Sequence, residues 1–216
     1  FSLAKTWGWR PDNPVEGVPR YQEEKRDRWL SKAEIVRLLE TLDGFPDRRA
    51  ANAIRLLLFT GARKSEVLNA TWDQIDFERK VWTKPAHTTK QKRTEHFPLS
   101  DSAIDLLSGI RATCDDGERY IFPGKVPNTP LTTLKKPWEK ICEEARLENV
   151  RLHDLRHTFA SHLVSSGMPL YSVGRLLGHT QPQTTMRYSH LADSHLRDVA
   201  NAFSKVTERK DDGRDD

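Results

Sequence analysis

"RLHDLRHTFASHLVSSG", residues 151–167, decides how the rest of this chain is read. The run reads as a helix ended by Gly167. His153 and Arg156 stand three residues apart, so their side chains share one helical face, with His157 one residue further round. A His and an Arg projecting together can bind the two non-bridging oxygens of a phosphate. Arginine suits the task because its planar fork is always charged and can bond in bidentate fashion. Taken alone, the run also fits a polar helix face with a capping His. His153 and His157, at i and i+4, could instead begin a zinc site, although no third ligand is evident.

The flanking segments extend the same pattern. Downstream, Pro169 opens "PLYSVGRLL", which Gly178 ends, and Pro182 can open a short helix bearing Tyr188. His179 follows Gly178 at a helix end, where a cationic His would suit the dipole. A last helix carries Leu196, Val199, Ala200, Phe203 and Val206 at helical spacing. Upstream, Ser31 to Glu34 forms a capping box, and Leu30 and Ile35 can form a hydrophobic staple. Ile35, Leu38, Leu39 and Leu42 then share one face, closed by Gly44. A second helix runs from about Asp47 to Thr60 with Ala50, Ile54, Leu57 and Leu58 inward, and Gly61 ends it. Arg63 sits just past this end, and Glu66, three residues on, can hold it. A short helix lies within "KSEVLNA". Two strand-like pieces, "KVWT" and "EHFPL", flank the basic stretch "PAHTTKQKRT", a hairpin with a long cationic loop that contains Lys90. Ser100 caps a helix carrying Ile104, Leu107 and Ile110. "RYIFPG" is a short strand or turn, and residues 131 to 147 are helical in part, with Pro137 near the start. The expected fold class is mostly α with a small antiparallel β-sheet (α+β).

Composition sets the outer limits. The 216 residues suffice for one substantial domain, or one domain with an appendage. Hydrophobic residues make up 36% and charged residues 31%, which fits a globular protein with a strongly ionic surface. No apolar run approaches the ~20 residues of a membrane span, and no signal-peptide pattern is present. Cys114 and Cys142 lack metal-ligand spacing and are too few for a disulfide framework, which leads us to expect a reducing, cytoplasmic compartment. The formal net charge is +4, and the acidic ending "DDGRDD" makes the remainder more basic still. From Arg79 to Arg93 there are six Lys or Arg and no acid. Such a surface suits a polyanion such as nucleic acid.

Arg63, Lys90, His153, Arg156, His179 and Tyr188 form a set with a chemical logic. A phosphodiester attacked by a tyrosine passes through a phosphorane-like state with extra negative charge, which two Arg and one or two His can stabilise. Tyrosine ionises near pH 10 unperturbed, so its proton must leave as it attacks, and a nearby His can accept it. The leaving 5′ oxygen needs a proton that a Lys can supply. No ATP is required, because the phosphotyrosine bond conserves the energy of the broken linkage. No cluster of Asp and Glu points to Mg²⁺.

Three stretches resemble the catalytic domain of the tyrosine recombinase (phage integrase) family: "LLLFTGARKSEVLNATWDQID" its first-arginine box, "LHDLRHTFASHLVSSG" its His-x-x-Arg box, and "LLGHTQPQTTMRYSHL" its LGH box and nucleophile. The resemblance runs from about Trp29 to Phe203. It implies that Arg63 and Arg156 clamp the scissile phosphate, that His153 is the general base and that His179 binds a phosphate oxygen. Tyr188 would form the 3′-phosphotyrosyl link, and Glu66 would be structural. Lys90 would be the general acid, chosen over Lys84 and Lys92 by its distance from "HFPL", although the loop lacks the Gly often found there. The implied organisation is the end of a missing core-binding domain plus linker at 1–28, a catalytic domain at 29–192, and an amphipathic helix with an acidic tail at 193–216. Opening on Phe1, the chain reads as a fragment or the ordered part of a longer protein. The last helix would be exchanged between protomers. The expected activity is site-specific recombination of a phage, prophage or other mobile element. It would need no metal and no cofactor. The partners would be double-stranded DNA attachment sites and further copies of the chain, a tetramer on DNA, in the nucleoid. Two rivals are a type IB topoisomerase and a catalytically silent DNA-binding accessory protein.

Overall fold

The computed structural model describes residues 1–19, 27–86, 94–179 and 181–191. Within these, a short helix α1 (Ser2–Thr6) buries none of its residues. The domain proper starts where Leu30 enters the core. Leu30 is clamped onto a later helix by both backbone groups: its N–H donates to Thr158 Oγ1 at 2.9 Å, and its carbonyl meets His162 Nε2 at 2.8 Å. The edge of the Trp29 ring packs against His162. Helix α2 (Lys32–Gly44) then begins on the expected capping box. Ser31 Oγ accepts from the Glu34 amide, and Glu34 Oε2 accepts from the Ser31 amide at 2.8 Å.

Helix α3 (Arg48–Thr60), capped by Asp47, is the axis of the fold. It packs against α2, against α4 (Lys64–Leu68), α5 (Asp101–Ala112) and α6 (Lys135–Glu144), and against α7 (Asp154–Ser165). An Ala- and Leu-rich sequence makes this possible, because small side chains let neighbours approach from several directions. At its end Gly61 is left-handed, with φ 60. A Cβ there would lie 2.6 Å from the Phe159 ring, so glycine is required by both backbone and space.

The sheet has three antiparallel strands in chain order: β1 (Ile75–Asp76), β2 (Val81–Lys84) and β3 (Glu95–Pro98). Trp82 faces Phe97 and Lys84 faces Glu95 across β2 and β3. Strands β2 and β3 match the sequence reading. The edge strand β1 escapes it, since two residues are too few to show a period.

The described residues close with α8 (Leu170–Leu176), α9 (Pro182–Met186) and a 3-10 turn at Ser189–Leu191. Two boundaries differ from expectation. Helix α7 starts at Asp154 and not at Arg151, because the Asp154 carboxylate accepts the Arg151 amide at 2.8 Å and folds residues 151–153 into a turn. Tyr188 lies beyond the end of α9, in the turn that precedes the 3-10 segment. The amphipathic segment expected from residue 193 lies outside the described residues, as do Lys90 and Lys92. Among the described residues no helix is long and apolar enough to cross a membrane.

Two cores result. The larger surrounds α3. The smaller joins Ala160 and Val164 of α7 to Val173 and Leu177 of α8 and to Tyr188. Helix α7 thus contributes to both cores.

Replacing Gly61 with Ala tests the αL end of α3. The φ value alone costs ~1–3 kcal/mol for a residue with a side chain, and the Phe159 contact adds to it. Gly61→Ala should lose at least ~2 kcal/mol by urea denaturation. Gly109→Ala, in the interior of α5 with nothing within 4 Å of the added Cβ, should be neutral or gain up to ~1 kcal/mol. Equal effects at both positions would contradict this account.

Candidate active site

Arg156 stands in the first turns of α7, and its guanidinium is buried. Nη1 donates to the Gly61 carbonyl at 2.8 Å and Nη2 to the Leu177 carbonyl at 2.5 Å. These carbonyls cap α3 and α8, whose ends leave carbonyls without intrahelical partners. Burial, and then repulsion from Arg63, push Arg156 down to about 10, so it remains a cation at neutral pH. Among the described residues no carboxylate forms an ion pair with it.

Arg63 precedes α4, two residues beyond Gly61. Its Nη1 bonds to Glu66 Oε1 at 2.7 Å, and its amide donates to Glu66 Oε2 at 3.2 Å. The other claim on Glu66 comes from the sheet. Lys84 Nζ donates to Oε2 at 2.7 Å, with both side chains almost fully buried, at 6% and 3% exposure. Lys84 Nζ also sits 4.5 Å from the Trp82 ring centre and 4.8 Å from that of Phe97. Burial lowers the Lys84 pKa against the pull of Glu66. Burial would raise Glu66, but Lys84 and Arg63 outweigh it and hold the carboxyl below its usual range. One carboxylate therefore fixes Arg63 to the sheet.

His179 follows α8, with Nδ1 at 2.8 Å from Thr185 Oγ1 of α9. The two helices meet closely because Gly174 has no side chain; a Cβ there would lie 2.6 Å from the same Thr185 oxygen. This contact places the turn that carries Tyr188. Tyr188 is buried in the small core, and its hydroxyl lies 2.6 Å from Nδ1 of His157. The His153 ring is edge-on to that of His157, 5.0 Å between centres. Arg187 reaches Asp27, in the segment leading to α2, at 3.6 Å.

Arginines and burial dominate the ionisation of the site. Burial, then Arg187 and His153, bring His157 down to about 4. Burial, then Arg156 and Arg63, bring His179 to about 4. His153 is lowered by burial and by Arg156. All three imidazoles are thus neutral at pH 7. Burial raises the Tyr188 phenol, and Arg187 and Arg156 pull it back. Arg156, bonded to two carbonyls, and three uncharged histidines can receive an anion such as a phosphate.

The structure thus brings five of the six expected residues, Arg63, His153, Arg156, His179 and Tyr188, into one electrostatic neighbourhood. The sixth, Lys90, lies outside the described residues. Two participants escaped the sequence reading. In the sequence His157 stands out only as a partner of His153 for zinc, although i, i+4 spacing puts it on the same helical flank. Lys84 was grouped with the loop lysines. Its signal was parity: two residues after the core residue Trp82, it points to the same buried face.

Comparison with known proteins bears on the fold and the family. The model of the phage integrase family matches residues 28–195. The integrase of Salmonella phage P22 is 29% identical, over 95% of this chain and 54% of its own. The integrase of Haemophilus phage HP1 is 30% identical, over 87% of this chain and 51% of its own. The chain therefore spans about half the length of these curated relatives. Among solved structures, the catalytic domain of the HP1 integrase superposes with a TM-score of 0.61 at 30% identity, covering 80% of this chain and 93% of that one. The XerH site-specific recombinase bound to difH substrate superposes with a TM-score of 0.63 at 25% identity, covering 80% and 52%.

Two predictions follow from the electrostatics. Lys84→Ala would leave Glu66 buried with one cation fewer. It should cost ~3–5 kcal/mol in denaturant unfolding, whereas a solvated loop lysine would cost almost nothing. The second concerns pH. His157 and His179 ionise below their ordinary 6.5 in the folded chain, so the unfolded chain takes up protons first as pH falls. Their contribution is complete above about pH 6.5 and is lost as pH drops toward about 4. Glu66 is depressed below its ordinary 4.5, so its contribution fades only below that value. The melting temperature should therefore fall between pH 6.5 and 5, and His179→Gln should flatten the decline. A melting temperature that stays level in the wild type over this range would refute the assignment.

Proposed function

The chain belongs to the phage integrase family, and from that premise and the charge balance of its site we propose that it breaks and rejoins DNA at specific sites through a covalent bond between Tyr188 and a 3′ phosphate. The observation that carries this reading is the buried cation Arg156. Among the described residues it is held by carbonyls and not by a carboxylate, beside Arg63 and the buried phenol of Tyr188.

The scissile phosphate docks between Arg63 and Arg156. A guanidinium has five N–H donors. Those of Arg156 that do not serve Gly61 and Leu177 turn to the phosphate oxygens. His153 and His179 add neutral hydrogen-bond partners on the same side. Tyr188 attacks phosphorus, the bond to the 5′ oxygen breaks, and negative charge gathers on the non-bridging oxygens, where the arginines stabilise it. Lys90 donates a proton to the departing 5′ oxygen. The reversal of these steps with a different 5′ hydroxyl joins new partners, and the energy of the original linkage is retained in the phosphotyrosine bond. Side-chain cations do here what metal ions do in other phosphoryl-transfer sites, so neither a metal nor another cofactor is needed.

The substrate is double-stranded DNA at the attachment sites of a phage, prophage or other mobile element. The relative that most directly supports a DNA partner is XerH, solved on its difH substrate. The catalytic unit spans 29–192, preceded by the end of a core-binding domain with its linker and followed by an amphipathic helix at 193–216. Four copies assemble on paired sites, in the nucleoid of the cytoplasm.

Incubating the protein with a nicked suicide duplex built from the junction of its element, in excess EDTA, tests the reading. The wild type should form a denaturant-resistant protein–DNA adduct. Tyr188→Phe should bind the duplex and form none, and Arg156→Lys should be slower by roughly 10²-fold or more, since a point charge replaces the fork. An adduct with Tyr188→Phe would refute the nucleophile. Retention of the duplex without any adduct, even in the wild type, would indicate a DNA-binding accessory protein. Relaxation of supercoiled plasmid of any sequence, without strand exchange, would indicate a topoisomerase.

A further inference from the structure

The hydroxyl of Tyr188 is bonded to His157, while His153, the residue to which the resemblance gives the base role, stands behind it. We propose that His157 is the catalytic residue that accepts the phenolic proton of Tyr188, with His153 supporting it from the adjacent turn of α7. The proposal rests on the reading of Tyr188 as the nucleophile.

The geometry comes first. His157 Nδ1 and the Tyr188 oxygen are 2.6 Å apart, a length usual for a hydrogen bond made by a hydroxyl. The phenol is protonated at neutral pH, since burial raises it. The imidazole is neutral, since burial and the neighbouring cations hold it at about 4. We assign the tautomer with the ring hydrogen on Nε2, in which the hydroxyl donates and Nδ1 accepts. The proton is therefore already pointed along its path of departure.

The surroundings hold that arrangement in place. His157 rises from α7 beside His153, Asp154 and Arg156. The segment after α9 brings Arg187 and Tyr188 against it, and the connector brings Asp27, which pairs with Arg187 at 3.6 Å. His190 lines the same small cleft. The His153 ring meets His157 edge-on, which fixes the plane of the accepting ring. With no DNA present the net field is positive and opposes protonation of His157. A phosphate anion docked on Arg63 and Arg156 cancels part of that field, so the base gains strength when the substrate arrives.

The step balances without a co-reactant. The Tyr188 O–H bond breaks and its proton moves to Nδ1. The phenolic oxygen bonds to phosphorus as the bond to the 5′ oxygen breaks, and that oxygen takes its proton from Lys90. In rejoining, the imidazolium returns the proton to the departing Tyr188 oxygen.

Three variants separate proton transfer from mere positioning. Asparagine carries its amide oxygen close to where histidine carries Nδ1, so His157→Asn can still accept the Tyr188 hydrogen bond but has no basicity in the physiological range. On the nicked suicide duplex in single-turnover conditions, His157→Ala and His157→Asn should both form adduct about 10²-fold or more slowly than the wild type at pH 7. Both should bind the duplex within a few-fold, and their deficit should narrow as pH rises toward 9, where the phenol ionises more readily. His157→Asn with wild-type rates would reduce His157 to a positioning residue and overturn the proposal. A pH-relieved deficit in His153→Ala, together with a near-normal His157→Asn, would move the base to His153. An adduct in Tyr188→Phe would instead refute the nucleophile, whatever the His157 variants do. If His157→Ala fails to fold, the asparagine variant decides alone.

Discussion

The guanidinium of Arg156 is the constraint around which this domain is arranged. A charge removed from water is costly unless it is bonded, and breaking such an arrangement costs more than leaving it unmade. Here two helix-terminal carbonyls, of Gly61 and Leu177, receive it. Both come from the negative ends of helix dipoles, which favour a cation. One side chain therefore ties the end of α3, the start of α7 and the end of α8 together, and in doing so aims its remaining donors. The bond that stabilises the fold and the bond that orients the site are the same.

Glu66 plays the matching role for Arg63. A buried carboxylate between Arg63 and Lys84 is stable only as a set, because any one member removed leaves a charge stranded. The set crosses from the start of α4 to the sheet. The basic hairpin needs a rigid base, and the Lys84 contacts with Trp82 and Phe97 provide it.

What the sequence makes legible follows from the range of each interaction. The capping box at Ser31 and Glu34, the left-handed Gly61 and the helix at 101–112 capped by Ser100 are decided within a few residues, and all could be read directly. Arg63 and Arg156 were identifiable by type and spacing. Their mutual arrangement was not, because it depends on carbonyls 95 and 21 residues away from Arg156 along the chain. Helix α7 starts three residues later than its sequence pattern predicts, since Asp154 uses its side chain to hold a turn there. The partner of the Tyr188 hydroxyl was hidden for a similar reason. His153 and His157 share a flank of one helix, and only the docking of α8 and α9 decides which of the two the phenol meets.

A tyrosine that must act as a nucleophile faces opposing demands: it has to be held firmly, and it has to ionise. Packing against Ala160, Val164, Val173 and Leu177 meets the first demand but raises the phenol's pKa, because a phenolate is poorly solvated there. Arg187 and Arg156 act in the opposite direction. The cations suited to a phosphate thus also ease the ionisation of the group that would attack it. Burial, and then the same field, keep the histidines uncharged and therefore able to accept a proton. Burial and positive field, either of which alone would spoil a tyrosine nucleophile or its base, are compatible here because both act on the same few side chains.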